Sequence, residues 1–402
     1  MRMPISLIKT MVYGTTTTFL AFSFIIFPKE AYEASIRGLT MWWDVVFPSL
    51  LPFFIMSEFL IRFGVVSFIG ALFEPVMRPL FRVPGAGGFV WAMGLASGFP
   101  AGAKLTARLR QEKKITAIEG ERLVSFSNAS NPLFIFGAIS VGFFHDPALG
   151  VVLAFAHYVG NIIVGLTMRF YGDDEQNKAA GSRRLSLTYA LRLMHAERLK
   201  DKRPFGKLMG DAVQSAIQTL LMIGGFIVLF SVLNQILGLI HFSVILSVII
   251  TIILGFIQMP TELSPALISG LFEITLGSQL VSLTNNIPLL QQAIIVSFIL
   301  AFNGFSVQAQ VASILSETDI RFRPFFFARC FHGFVAAVIT YYVFDWLYVE
   351  QLSPAGEAIP AFHPSPVTAS IQAYEWLLQW GGLISLSTLF LWVVMTLFSY
   401  KK

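Results

Sequence analysis

Long, mostly uncharged apolar segments recur along the whole of this 402-residue sequence. About eight of them have the ~20 residues that an α-helix needs to cross a bilayer. Only 13% of the residues are charged, against about a quarter in soluble domains, which excludes an ordinary water-soluble enzyme. We therefore predict an all-α polytopic membrane protein with spans near residues 10–27, 42–62, 123–144, 147–170, 211–238, 289–313, 326–349 and 374–399.

Three further apolar segments do not look like simple spans. Segments 84–104 and 259–284 are interrupted by Gly, Pro, Ser and Thr, and 242–257 is short. Lys and Arg cluster in 104–122 and 178–207, which the positive-inside rule assigns to the cytoplasm. Every basic cluster falls on that side if the two interrupted segments are re-entrant hairpins, the short one is an interfacial or broken helix, and both termini are cytoplasmic.

This threading repeats one order of elements twice. Each half has a span, an interfacial helix, a hairpin, a broken span and a span, and the halves enter the membrane from opposite sides. Inverted repeats with interrupted helices near the midplane are typical of secondary transporters. No signal-peptide cleavage site follows the first apolar segment, so we keep it as a span. The predicted units are an N-terminal span and external loop (1–41), a first repeat (42–170), a basic cytoplasmic linker (171–209), a second, inverted repeat (211–349), and an external loop with a C-terminal span (350–402).

The first hairpin reads GLASGFPAGAK from residue 94 and is predicted to bind an anion. Gly98 and Gly102 permit a tight turn, and the helix that restarts after it directs free N–H groups at the turn. Ser97 and Lys104 would add a hydroxyl and a positive charge. The alternative is that Ser97 and the glycines only pack helices together while Lys104 snorkels to the interface.

The second hairpin carries an acidic residue in an apolar setting. Glu273 is followed by Thr275 and Ser278 in the segment GLFEITLGS. An intramembrane carboxylate is costly and is a functional hypothesis by default. We predict that Glu273 couples or gates transport by taking up H⁺ or Na⁺, with Thr275 and Ser278 near the substrate. The alternative is a neutral or surface glutamate with a structural role.

Each hairpin precedes a span with a polar interruption, SFSNASNP in the first half and NGFSVQAQ in the second. Pro132 and Gly304 weaken these helices, so backbone and amide groups become available opposite the hairpins. We predict that the interruptions line the substrate site, against the alternative that they are interhelical hydrogen-bonding groups. The predicted substrate-binding residues here are Ser127, Asn128, Ser130, Asn131, Asn303, Ser306 and Gln308.

Other chemistries find little support in the sequence. HExxH and Walker A motifs are absent, and Cys330 is the single cysteine, so we expect no metal site, no cofactor, no ATP-driven pump and no enzyme. His157 and Asn161, one helical turn apart, could join a polar cavity, but packing is the commoner role. The +5 net charge reflects cytoplasmic basic loops, and the linker is expected to bind anionic lipid headgroups, not nucleic acid.

The motifs GLASGFPAGAK, SFSNASNPLFIFGA, GLFEITLGS and AFNGFSVQAQ together resemble the sporulation integral membrane protein YlbJ family of endospore-forming bacteria. The resemblance covers nearly the whole chain. It implies two nucleoside-recognition, or Gate, domains, which are similar to the core of concentrative nucleoside transporters. It also implies a mother-cell protein of the outer forespore membrane that moves dipicolinic acid, a small aromatic dicarboxylate, toward the forespore.

The sequence differs from concentrative nucleoside transporters at the solute-binding motif. The nucleoside- and Na⁺-contacting motif of concentrative nucleoside transporters has no residue-by-residue match here, so nucleoside specificity is not transferred. The expected partner is a small anionic solute moved by alternating access, and a homo-oligomer is compatible with the sequence. The alternatives are a transporter for a nucleoside or another metabolite, and a membrane scaffold for spore cortex formation.

Overall fold

The computed structural model of the chain describes residues 5–172, 187–240 and 242–349. Within these ranges the chain is almost entirely helical and no β-strand occurs, which confirms the predicted all-α fold. Helices suit a bilayer because each satisfies its backbone hydrogen bonds within one segment.

The first half begins with a sharply bent pair of helices and ends with a long straight one. Two π-helical segments, Trp42–Val46 and Leu133–Phe143, interrupt the α-helices. The α-helices are α1 (Ile5–Ile26), α2 (Pro28–Met41), α3 (Phe47–Arg62), α4 (Val65–Phe81), α5 (Ala86–Ser97), α6 (Ala101–Gln111), α7 (Ala117–Ser127) and α8 (Pro147–Met168).

The second half is built around a helix of 35 residues. A 3₁₀ turn, Thr261–Leu263, and a π-helical segment, Asp345–Val349, complete it. Its α-helices are α9 (Leu187–Lys200), α10 (Phe205–Leu239), α11 (Phe242–Phe256), α12 (Ser264–Phe272), α13 (Ile274–Ser282), α14 (Leu289–Phe302), α15 (Gly304–Leu315) and α16 (Phe322–Phe344).

The order of elements in α3–α8 returns in α10–α16. A helix (α3, α10) is followed by a second helix (α4, α11), a hairpin (α5–α6, α12–α13), an interrupted pair and a long helix (α8, α16). The two arms of each hairpin pack against each other. The predicted succession of elements is therefore present in both halves, while their opposite orientation in a membrane stays a prediction.

Length and composition alone qualify four helical stretches as membrane spans in the described part of the chain. Two bent helix pairs pass the same test together, with bends of 101° after α1 and 80° after α3. The predicted span at 123–144 is split into α7 and Leu133–Phe143, each too short to cross alone, and 374–399 lies outside the described residues. The four stretches are Pro147–Met168, Phe205–Leu239, Leu289–Leu315 and Phe322–Tyr348.

The region after the first span is a helix, not the external loop that we predicted within 1–41. Helix α2 packs along α10, where Ser231 Oγ donates to the Ala34 carbonyl at 2.7 Å. Gly38 lies so close to Val228 and Ser231 that a Cβ there would meet both at about 3 Å. Small residues on one face of α2 allow this close approach, and hydropathy averaged over the segment hides it.

The predicted basic linker 171–209 also contains packed structure. Helix α9 lies against α4, and Glu197 and Asp201 pair with Lys114 and Arg62 of the first half. Part of the linker is therefore packed against the protein, while its binding of lipid headgroups stays a prediction. The predicted external loop 350–373 lies outside the described residues.

Candidate substrate-binding cavity

A cavity of about 560 Å³ lies where the interruptions of both halves meet. This volume falls within the ~300–1,000 Å³ usual for small-molecule sites. Its lining comes from both hairpins, from both interrupted spans, from the segment before α3 and from α10. The polar lining residues are Asp44, Ser97, Ser130, Asn131, Glu273, Thr275, Ser306 and Gln310.

The first hairpin reaches the cavity through its turn, Ser97–Phe99. Gly98 has φ 81° and ψ −168°, a region that essentially only glycine adopts. A Cβ at Gly98 would meet Asn131 Nδ2 at 3.0 Å and the Asn131 nitrogen at 3.2 Å. The turn thus depends on glycine twice, for its backbone angles and for its closeness to the first interrupted span.

Asn131 fixes the first interrupted span to this hairpin. Its Nδ2 donates to the Ser97 carbonyl at 3.0 Å, and its Oδ1 accepts from the Phe134 N–H at 2.7 Å. The side chain therefore caps the segment Leu133–Phe143 and holds the hairpin turn at the same time. Both residues line the cavity, as the sequence predicted for a substrate site.

The second hairpin breaks at Glu273, which is extended (φ −147°, ψ 123°) between α12 and α13. One carboxylate oxygen accepts from the Leu276 N–H at 2.7 Å, so Glu273 caps α13. The residue is 8% exposed and lines the cavity. A carboxylate at a helix N-terminus is stabilised by the helix dipole.

Two buried hydroxyls lining the cavity have unused hydrogen-bonding capacity. Ser97 Oγ and Ser130 Oγ are at most 1% exposed and have no hydrogen-bond partner in the described part of the chain. Buried polar atoms are nearly always paired in proteins. A bound solute or water in the cavity is the natural partner for both.

Several predicted site residues form hydrogen bonds at the interruptions and do not line the cavity. The Asn303 amide is oriented so that its oxygen and its nitrogen both have hydrogen-bond partners. In this orientation its nitrogen donates to Leu300 O and Ala301 O, and its oxygen accepts from Asn128 Nδ2 at 3.1 Å. Gln308 Nε2 donates to the Phe302 carbonyl at 2.9 Å. The predicted residues absent from the cavity lining are Gly102, Lys104, Ser127, Asn128, Ser278, Asn303 and Gln308.

Lys104 points away from the place that the sequence predicted for it. Its ammonium lies 4.0 Å from Glu58 Oε1, 3.5 Å from Ser215 Oγ and 4.9 Å from the centre of the Phe54 ring. Glu58 also accepts from Ser215 at 3.0 Å. The charge of Lys104 is thus directed at a carboxylate of α3, because the residue lies one turn into α6 on the side that packs against α3 and α10.

The cavity is acidic. Asp44 and Glu273 are its ionisable lining residues, and no Lys, Arg or His occurs among the described residues that surround it. Sequence reasoning passed over Asp44, Phe99 and Gln310. Phe99 and Gln310 lie inside the hairpin and interrupted-span motifs named above. Asp44 lies near the start of a predicted span, where an exposed acid is common and does not indicate a site.

Comparison with known proteins identifies the family. The model of the Gate family, described as nucleoside recognition, matches residues 43–144, which include the first hairpin and the first interrupted span. The sporulation integral membrane protein YlbJ of Bacillus subtilis (strain 168) is 54% identical over 403 residues, covering 99% of this chain and 98% of that protein. This chain belongs to the YlbJ family. It is therefore an integral membrane protein of sporulation, and the resemblance drawn from its motifs is confirmed.

A solved structure adds a remote similarity. A double variant of CNTnw in an outward-facing state aligns with 82% of this chain and 85% of its own, with 13% identity and a TM-score of 0.40.

Proposed function

We propose that this YlbJ-family protein carries dipicolinic acid from the mother cell across the outer forespore membrane by alternating access. The observation that carries the proposal is the single cavity formed by both hairpin breaks and both span interruptions. Transporters built from repeats place their solute sites at such a junction of discontinuous helices. Membership in a family of sporulation membrane proteins supplies the biological setting.

The cavity offers donors that suit carboxylates without offering a positive side chain. Ser97, Ser130 and Ser306 contribute hydroxyls to its lining. No side chain caps the first turn of α6 or of α15, which begin at the hairpin turn and at the second interruption. Helix N-termini favour anions because their first N–H groups are unpaired and the dipole is positive there.

Glu273 is the proposed coupling residue. A dianionic solute beside an ionised Glu273 would be repelled, and a proton or Na⁺ taken up with the solute would remove that repulsion. The carboxylate lies at the break of the second hairpin, where movement of α12 against α13 would change its access. Solute movement and cation movement would then be linked at one residue.

The test is uptake of labelled dipicolinate into proteoliposomes that contain the purified full-length chain. We expect saturable uptake, a fall of about tenfold or more in Asn131→Ala, which loses two hydrogen bonds, and altered pH or Na⁺ dependence in Glu273→Gln. Leu221→Ala, on an exposed part of α10 away from the cavity, is the control. Absence of uptake by folded protein, or equal uptake by wild type and Asn131→Ala, would refute the proposal.

A nucleoside is the second candidate solute. The Gate family is described by nucleoside recognition, and a cavity without a basic side chain also suits a neutral, hydrogen-bonding molecule. Competition decides between the two. If unlabelled nucleosides abolish dipicolinate uptake, or are themselves transported faster, the nucleoside assignment replaces dipicolinate.

A further inference from the structure

A buried polar cluster lies behind the first interruption, on the side away from the cavity lining. Arg329 and His332 of α16 and His157 and Asn161 of α8 are all 0% exposed. None of the four lines the cavity. No carboxylate pairs with Arg329 among the described residues, and its partners are carbonyl oxygens, an amide oxygen and a histidine nitrogen.

Hydrogen bonds connect this cluster to the interruption in one continuous chain. Arg329 donates to the carbonyls of Ser125 and Asn128, at the end of α7. His332 Nδ1 lies 3.0 Å from Arg329 Nη1, and its Nε2 lies 2.9 Å from the carbonyl of His157. His157 Nε2 then accepts from the Ser130 N–H at 3.0 Å.

The directions of these bonds fix the charge of both rings. Arginine can only donate, so His332 Nδ1 accepts and His332 Nε2 carries the hydrogen that the carbonyl of His157 accepts. The Ser130 N–H can only donate, so His157 Nε2 is unprotonated and its hydrogen is on Nδ1. Both histidines are therefore neutral, each in one tautomer, and a second proton on either would set a donor against a donor.

The buried cluster supplies hydrogen-bond partners for the backbone of the first interruption. Residues 128–131 have left the helix, so their backbone groups need partners that a helix would otherwise provide. The Ser130 N–H is bound by His157, and the Ser130 carbonyl accepts from the Tyr158 hydroxyl at 3.2 Å. With both backbone groups of Ser130 held from behind, its hydroxyl and the neighbouring Asn131 are presented to the cavity.

We propose that His157, His332 and Arg329 are positioning residues that hold 128–131 in its cavity-lining conformation only while both rings are neutral, so that protonation of a ring releases the segment. The proposal rests on the proposed function for its transport readout. It makes the first interruption proton-sensitive independently of Glu273, which belongs to the other half of the chain.

In the described part of the chain, no carboxylate bonds to either ring. On α8 the neighbouring ionisable group is Tyr158, and on α16 it is Arg329, already cationic. Helix α14, which packs on both α8 and α16, has no ionisable side chain. On α7, Glu121 is bound to Arg321 and Tyr171, and Arg122 donates to three carbonyls.

The decisive comparison is His157→Gln against His157→Leu. A glutamine oxygen can replace Nε2 as the acceptor for Ser130 and does not titrate, whereas leucine leaves the buried N–H unpaired. We expect His157→Gln to transport dipicolinate at close to the wild-type rate at pH 7.5, and His157→Leu to lose about tenfold or more in kcat/KM.

The pH profile separates positioning from a merely structural role. Because both rings are buried beside the cationic Arg329, wild-type uptake should decline only at a pH below the ordinary histidine range, and the ratio of His157→Gln to wild type should rise at least several-fold over the same interval. His195→Gln, on the exposed surface of α9, should follow the wild-type profile. A constant ratio of His157→Gln to wild type across pH would overturn the proposal, as would unchanged uptake in His157→Leu.

A second readout does not depend on any solute. Ser130→Cys in a Cys330→Ala background gives one thiol at the interruption, and its rate of maleimide labelling is compared with and without His157→Gln at each pH. We expect faster labelling at low pH only when His157 is present. If dipicolinate is not transported but this difference appears, the positioning role stands while the proposed function fails; equal labelling in both backgrounds refutes the positioning role.

Discussion

Gly98 and Asn131 form the contact between the first hairpin turn and the first interrupted span. Gly98 has backbone angles that other residues avoid, and a Cβ on it would lie 3.0 Å from Asn131 Nδ2, so that Asn131 would have to shift. Asn131 in turn bonds to the hairpin and to the interrupted span. The sequence predicted both residues, because glycine and asparagine in an apolar helix are informative by themselves.

Gly98→Ala should impair transport more than it impairs folding. The alanine would cost about 1–3 kcal/mol in that backbone region and would push Asn131 away from the turn. We expect uptake of dipicolinate to fall about tenfold or more with a modest loss of melting temperature. Gly225→Ala is the matched control, since a Cβ there meets nothing within 4 Å; equal uptake by the two variants would contradict the assignment.

The sequence shows that Lys104 carries a positive charge, but it does not show which residue Lys104 pairs with. Glu58 lies 46 positions earlier in the chain, and only the packing of α6 against α3 brings the two within 4.0 Å. Patterns within one segment cannot supply a contact of this kind. The structure therefore replaces the predicted solute contact of Lys104 with an ion pair inside the protein.

A double-mutant cycle distinguishes these two roles of Lys104. Lys104→Met should destabilise the protein by about 1–3 kcal/mol, because Glu58 loses a partner in a buried setting, while the KM for dipicolinate stays near the wild-type value. Adding Glu58→Gln should restore part of the lost stability, since the pair is coupled. A KM raised about tenfold in Lys104→Met and unrestored in the double variant would return Lys104 to the solute site.

At the scale of elements, the positions of the breaks followed from composition. Gly, Pro and Asn clusters predicted the interruptions after α5, α7 and α14, and the polar segment at Glu273 predicted the break after α12. The helical character of α2 and the docking of α9 on α4 were missed, because both depend on partners distant in sequence. Arg329 was missed as a site residue because its buried setting arises only when α16 packs between α7, α8 and α14.

An ion pair links the first hairpin to the second half of the chain at its charged end. Arg110 Nε and Nη2 donate to the two oxygens of Asp319, each at 2.7 Å. These hydrogen bonds from Arg110 hold the pKa of Asp319 below its usual value. Because the folded pKa is lowered, the stabilisation is complete above the unfolded pKa of ~3.9 and is lost as the pH falls through the folded pKa.

Asp319→Asn should therefore have a small, pH-dependent effect. The pair is largely exposed, so we expect a loss of about 0.2–1 kcal/mol at pH 7, which disappears as the pH is lowered well below about 4. Melting temperatures in detergent from pH 3 to 7 measure it. Glu317→Gln, which only weakens a long 3.5 Å hydrogen bond from Gln111 and an attraction to Lys104, should have a smaller effect; a pH-independent difference for Asp319→Asn would contradict the ion-pair account.

At the scale of the molecule, a repeated order of elements places four interruptions around one cavity. Helix α15 packs on α6, and α13 on the segment Leu133–Phe143, so each half completes the site of the other. The sequence did not predict the acidic lining, because the lining depends on which side chains at each interruption face the cavity. We infer that the solute binds in this cavity.

Protection of a single cysteine from labelling shows whether the solute binds in this cavity. Ala138→Cys in a Cys330→Ala background places one thiol on the cavity wall, and its rate of maleimide labelling is followed with increasing dipicolinate in the purified chain. We expect slower labelling by about fivefold or more, with half-protection at the concentration that half-saturates uptake, and no protection of a cysteine at Leu221. Unprotected labelling at concentrations that saturate uptake would place the solute outside this cavity.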